Sequence, residues 1–361
     1  MSPAARSVEL PGAVLDEAHG VPAHFGNPFA EENMLARGRA FTDLSFVEVV
    51  TVSGPDRATW LHNLTTRDFL NLPTGESSEM LLLDPNGHIC SAAGVIDDGD
   101  RTWFFLDSGQ AEPFTAFLDS MVFRMRIGVE RPDVRVFGFF APDGVPEAIA
   151  ALADVVWRDP WPRTLPGGAN YGVPDADHPA YGSARVLIAA RPDQQVIETF
   201  GAAGFVPAGL QAWEAKRISD WRPRQNTEVV VRALPHELDW LRTAVHLEKG
   251  CYRGQETVAK LVNLGRPPRR LAYLYLEGPE GELPARGAQV MAGEKVVGQL
   301  TSVARDSQEG PVALALLKRN APEGELSVGA FVAAQVPIVA REGKSTASPN
   351  ERPGAGMRPR R

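Results

Sequence analysis

Cys251 lies between two glycines, Gly250 and Gly254, with Lys249 two residues before it and Tyr252 directly after. The pattern over 255–264 predicts a helix, so Gln255 and Glu256 open its first turn just behind the thiol. A cationic neighbour and a helix N-terminus both favour thiolate over thiol, the form that attacks electrophiles or binds metals. The glycines permit close backbone approach, or angles that other residues avoid. The chemistry suits a reactive or ligand-binding cysteine. The same residues also read as a small hydrophobe buried in a tight turn. His246 stands five residues before the thiol. Nearness in sequence does not pair side chains in space, and no third orienting group is evident for a Cys–His hydrolase.

Arg217 falls on the face of a helix over 209–221 that also carries Leu210, Trp213 and Trp221. A guanidinium among apolar groups needs an anionic partner. That partner is either a bound anion or a carboxylate such as Glu214 or Asp220. Asn63, Thr65 and Thr66 offer neutral hydrogen-bonding groups at the end of a helix over 57–64, where they line a cavity or cap and turn the chain. Trp60, Trp213, Trp221 and Trp240 read as core. Arg266, Arg269 and Arg270 form a basic cluster, either a solvated linker face or an anion contact. Cys90 sits in an alternating strand and reads as buried and inert, and the histidines are too dispersed for a metal site.

The elements that hold these residues divide the chain. Strand signals at 48–53, 80–83, 88–95 and 102–106, with helices at 57–64 and 112–121, give a mixed order that predicts an α+β fold. Asp84-Pro85-Asn86-Gly87 marks a hairpin. Asp56 is placed to cap its helix, and Asp97 and Asp98 sit in a turn facing solvent. After Pro267-Pro268 the pattern becomes strands separated by Gly turns, a small β-barrel. The expected division is an N-terminal arm (1–29), a first α+β domain (30–143), a second carrying the cysteine segment (144–265), a barrel (266–340) and a disordered basic tail (341–361).

Composition bounds the function. The 361 residues carry 37 Lys and Arg against 45 Asp and Glu, a net charge of −8, which argues against nucleic-acid partners and anionic membranes. Two cysteines cannot supply the four ligands of a zinc ribbon or a protein-held iron–sulfur cluster. No apolar stretch approaches the ~20 residues of a membrane span. Pro, Glu and Asp interrupt the first twenty residues where a signal peptide needs an apolar core. The expectation is a cytoplasmic, reduced protein.

Lys249-Gly250-Cys251-Tyr252-Arg253-Gly254-Gln255-Glu256 resembles the K-G-C-Y-x-G-Q-E signature of the YgfZ family, folate-binding proteins related to the T-protein, or aminomethyltransferase, of the glycine cleavage system. Ser53-Gly54-Pro55-Asp56 with the run Trp60 to Asp68, the hairpin Leu82 to Ile89, Val206 to Leu210 with Arg217-Ile218, and Gly298 to Ser302 extend the resemblance over roughly 35–340. It implies three domains around a central cavity that holds tetrahydrofolate or a derivative. It implies a role in assembling, maintaining or repairing iron–sulfur enzymes, with those clients or assembly proteins as partners. Cys251 and Lys249 are then the working pair. Arg217, Tyr252, Gly250, Gly254, Gln255, Glu256, Asn63 and Thr65 are then candidate folate contacts. T-proteins carry an Asp-Asp pair on the strand after the hairpin; Ser91 and Ala92 stand there, and neither can do a carboxylate's work. That disfavours the alternative of a folate-dependent aminomethyltransferase or other one-carbon transferase. A non-catalytic folate scaffold or sensor is the third reading.

Overall fold

The computed structural model describes residues 6–192 and 195–349. In chain order a short hairpin, β1 (Val14–Asp16) and β2 (Val21–His24), precedes α1 (Pro28–Ala36). There follow β3 (Ala40–Asp43), β4 (Glu48–Ser53), α2 (Arg57–Leu64), β5 (Ser77–Leu83), β6 (Ile89–Asp97), β7 (Arg101–Leu106), α3 (Ala111–Ser120), β8 (Gly128–Glu130) and β9 (Arg135–Phe140). The middle of the chain holds α4 (Glu147–Leu152), β10 (Val155–Arg158), β11 (Arg185–Ala190), α5 (Val196–Ala202), β12 (Val206–Pro207) and α6 (Leu210–Ser219), then α7 (Gln225–Glu228), α8 (Leu241–Ala244) and α9 (Gln255–Asn263). The last part is all strand: β13 (Arg269–Glu277), β14 (Gln289–Ala292), β15 (Lys295–Asp306), β16 (Gly310–Lys318), β17 (Leu326–Val328) and β18 (Phe331–Pro337).

Two five-stranded sheets and a barrel result. The first sheet runs β5-β6-β7-β4-β8 and the second β10-β11-β9-β3-β12; β13-β16-β15-β14-β17-β18 close into a barrel. The fold is α+β with a C-terminal barrel, as the sequence predicts. The sheets do not divide the chain at residue 144: β3 and β9, both before it, pair with each other, and β9 pairs with β11 of the second sheet. Alternation alone could not show this, because it carries no information about which strand is the neighbour.

The two sheets meet face to face. Trp157 of β10 donates its indole N–H to the Ser78 carbonyl of β5 at 2.9 Å. The ring lies so close to β6 that a Cβ on Gly94 would sit 2.7 Å from it. Only glycine lets the sheets approach this far. The basic tail is in part ordered, contrary to expectation. Thr346 and Asn170 exchange hydrogen bonds of 3.0 and 3.2 Å, and Ser345 is buried. Residues 350–361 lie outside the described residues, as does Gln194, the expected start of α5. Among the described residues no helix is long and apolar enough to cross a membrane.

Candidate functional site: a paired cavity and a surface thiol

A cavity of about 130 Å³ opens where the two sheets, α6 and Trp240 converge. Phe46, Phe105, Trp157, Trp213 and Trp240 supply flat apolar walls. Four carboxylates and four guanidiniums face the same space, each carboxylate against an arginine. Glu214 meets Arg217 at 2.9 Å and Arg224 at 3.1 Å, and Asp159 meets Arg222 at 2.9 Å. Asp107 meets Arg224 at 3.3 Å, and Glu79 is bonded to Arg222. Burial opposes the charge on Glu214, but the two arginines win and hold its carboxyl down to about 2. Burial also pushes the Glu79 carboxyl up, against the pull of Arg222. Held down by its two arginines, Glu214 is a poor proton acceptor. Ala92 also lines the cavity, with a methyl group.

Besides Arg224 Nε, which faces the Asp107 carboxylate at 3.3 Å without a hydrogen bond, two polar atoms on this wall lack partners among the described residues: Nη1 of Arg222, a donor, and Oε1 of Gln225, an acceptor. Buried polar groups are normally satisfied, so these two ask for a ligand edge or water. A second cavity of about 600 Å³ lies between α6 and the barrel and shares Glu214 and Arg224 with the first. Arg286 and Arg305 line it, and neither has a carboxylate partner among the described residues. Sequence reasoning missed both cavity walls, because the residues of each come from six or more separate segments.

The expected site residues do not all gather here. Arg217 lines the first cavity, but all its donors are spent within the protein: on Glu214, the Arg222 carbonyl (2.7 Å), Glu228 (3.0 Å) and Ser302 (2.7 Å). Burial works against its charge, yet Glu214 and Glu228 leave it raised above the ordinary arginine value. It organises the wall and has no donor left for folate. None of residues 249–256, nor Asn63 or Thr65, lines either cavity. Thr65 caps α2 through the Leu61 carbonyl at 3.0 Å, and Thr66 bonds the Leu81 and Ala244 carbonyls. Asn63 is exposed. Tyr252 is buried in the core with Val258 and Val262, its ring 5.0 Å from the Lys249 ammonium, so it offers no free face for a pterin.

Cys251 itself is exposed at the surface. Lys249 has a different task from activating it. Its ammonium is buried and bonded to the carbonyls of His62, Thr65 (2.6 Å) and Arg67 (3.1 Å). Burial lowers its pKa to about 7. It pins the thiol loop to the end of α2. Gly254 is held at φ 82°, and a Cβ there would strike the Asp84 carbonyl at 2.6 Å, so the hairpin expected at 84–87 packs on the motif. Gln255 closes the loop onto the Lys249 carbonyl at 3.3 Å, while Gly250 and Glu256 are exposed.

Other expectations need correction. Cys90 is exposed rather than buried, on the outer face of β6. Asp56 makes no cap and instead pairs with Arg126 at 2.9 Å. Asp97 is half-buried and paired with Arg57 at 2.8 Å, whereas Asp98 is exposed as expected and accepts from Trp103 at 2.7 Å. Arg269 is paired with Glu237 at 2.8 Å and Arg270 is buried in the barrel. Arg266 alone of the three is exposed, so they do not form one solvated face.

No family model matches the chain. A glycine cleavage system aminomethyltransferase of Bartonella henselae superposes with a TM-score of 0.70, at 19% identity over 91% of this chain and 94% of that one. The chain thus has the aminomethyltransferase fold. Among curated relatives, an aminomethyltransferase of Streptomyces coelicolor is 26% identical over 88% of this chain and 89% of its own length. A chloroplastic protein of Arabidopsis thaliana that carries only a provisional transferase name is 25% identical over 93% of this chain and 79% of its own.

Proposed function

We propose that the chain binds tetrahydrofolate or a derivative in the paired cavity and serves iron–sulfur enzymes as an accessory factor, with Cys251 as its working thiol. The first cavity is smaller than the ~300–1,000 Å³ of whole-ligand pockets, so it takes a ring head and the remainder extends beyond it. Its aromatic walls suit a flat bicyclic pterin, and Arg222 Nη1 and Gln225 Oε1 offer the donor and acceptor that a pterin edge needs. The anionic tail then passes Arg224 toward Arg286 and Arg305. Bound there, a reduced folate would supply a one-carbon carrier. The observation that carries the reading is the cavity wall itself: every carboxylate is paired, and a methyl stands at Ala92. The YgfZ-like octapeptide around Cys251 supports the iron–sulfur role, in which the thiol captures a fragment or lends one ligand to a cluster in transit. The cytoplasmic location read from the sequence belongs to the same proposal.

A strain lacking the gene tests it. Several [4Fe–4S] enzymes are assayed, then the strain is complemented with the wild type and with Cys251→Ser. Lowered activities that only the wild type restores support the reading; unchanged activities remove it. The names of the Streptomyces and Bartonella proteins favour a second reading, aminomethyl transfer. Conversion of tetrahydrofolate to its methylene form by the purified protein with an aminomethyl donor would decide for that one.

A further inference from the structure

The loop from His62 to Asp68 carries an arrangement that the cavity does not use. Nδ1 of His62, from the last turn of α2, lies 3.0 Å from Oδ1 of Asp68. Both side chains are about nine-tenths buried, at 11% and 9% exposure. Burial pushes the Asp68 carboxyl up, but the Asn71 side chain at 2.7 Å and the backbone amides of Asn71 and Leu70 outweigh it and hold it low. A carboxylate only accepts hydrogen bonds. The neutral imidazole therefore carries its proton on Nδ1 and its free lone pair on Nε2.

Nε2 has no hydrogen-bond partner among the described residues and is not sealed from water. It faces the thiol loop: the position a Cβ would take on Gly250 lies 3.5 Å from it. Cys251 is the next residue, one Cα step of ~3.8 Å away, with its side chain exposed. The Lys249 ammonium grips the carbonyl of His62 itself, so one side chain clamps imidazole and thiol loop together.

We propose that His62, oriented by Asp68, is the proton acceptor for the Cys251 thiol. The S–H bond breaks, the Nε2 lone pair takes the proton, and sulfur keeps the bonding pair. Nothing is oxidised, and the imidazolium that forms faces the Asp68 carboxylate. The thiolate is then free to attack a soft electrophile or to ligate a soft metal ion. Asp68 favours the imidazolium, and Lys249 opposes it; Arg67 and His246 belong to the same charged cluster. Burial, then Lys249, holds the imidazole below its ordinary value, which leaves it a neutral acceptor at pH 7. This inference rests on the reading that Cys251 is the working thiol and is independent of folate.

The test uses the full chain with Cys90→Ser, so that one thiol remains. Alkylation by iodoacetamide is timed from pH 5 to pH 10 in that parent and in its His62→Gln and Asp68→Asn variants, with folding checked by thermal unfolding. The expected rate at pH 7 is about tenfold lower in both variants, and the gap closes near pH 10, where hydroxide ionises the thiol unaided. A second measurement needs no variant: alkylating Cys251 moves the His62 ring resonances in the proton spectrum. A thiol inert in the parent at every pH sinks the reading of Cys251. A reactive thiol with an unchanged rate in His62→Gln, or His62 resonances that stay in place on alkylation, overturns this inference alone.

Discussion

Arg217 and Glu228 form an ion pair sealed from water, Nη1 to Oε2 at 3.0 Å, the arginine side chain 3% exposed and the glutamate 0%. Ser302 of the barrel bridges them, accepting from Arg217 at 2.7 Å and donating to Glu228 at 2.5 Å. The pair thus joins α6 to the barrel beneath both cavities. Removing one partner leaves a buried charge unpaired, which costs about 3–5 kcal/mol. Arg217→Ala is therefore expected to lose that much stability in urea unfolding. A variant as stable as the wild type would contradict a structural role for the arginine.

Filling the cavity should cost binding more than folding. Ala92→Leu projects three more carbons into the space beside Trp240 and Gln225. Overpacking of this size costs about 1–3 kcal/mol of stability, which a domain of this size survives. The expected loss of tetrahydrofolate affinity is at least tenfold by calorimetry, with the unfolding transition still cooperative. Unchanged affinity would move the folate elsewhere.

The thiol and the cavity are separate, since Cys251 lines neither hollow. Cys251→Ser is accordingly expected to leave folate affinity within about twofold, a difference near 0.4 kcal/mol, while abolishing complementation of the iron–sulfur enzymes. A large fall in affinity on equilibrium titration would show that the sulfur touches the ligand.

Glu32 on α1 sets a pH dependence. Burial, then the hydrogen bond and charge of Asp306 on β15, raise its carboxyl from 4.5 to about 8. Between those values the folded protein holds a proton that the unfolded chain has released. Stability therefore falls as pH rises through that window, and below it the effect vanishes. Glu32→Gln is neutral throughout. Its Tm is expected to drop less than that of the wild type between pH 5 and pH 8; equal drops would assign the dependence to another group.

Much of this was legible in the sequence, and what was not has physical causes. The hairpin at 84–87, the helix behind Cys251 and the barrel strands follow from local turn chemistry and alternation. The octapeptide led correctly to the aminomethyltransferase fold. The cavity was not legible, because Glu79, Asp159 and Arg222 form one ion-pair chain only after two sheets close on each other. Lys249 reads as an activator from its spacing, but a four-carbon stem can turn either way, and three carbonyls of the 62–67 loop draw it inward. His62 carried a usable signal in its Asp partner six residues on, yet its nearness to Gly250 exists only in the fold.

Titration of the purified protein with tetrahydrofolate, read by tryptophan fluorescence, tests the central claim most directly. Trp157, Trp213 and Trp240 stand on the cavity wall. The account predicts saturable quenching that is lost in Ala92→Leu and retained in Cys251→Ser. Fluorescence that stays flat to about millimolar ligand, where binding is worth only ~4 kcal/mol, would contradict it.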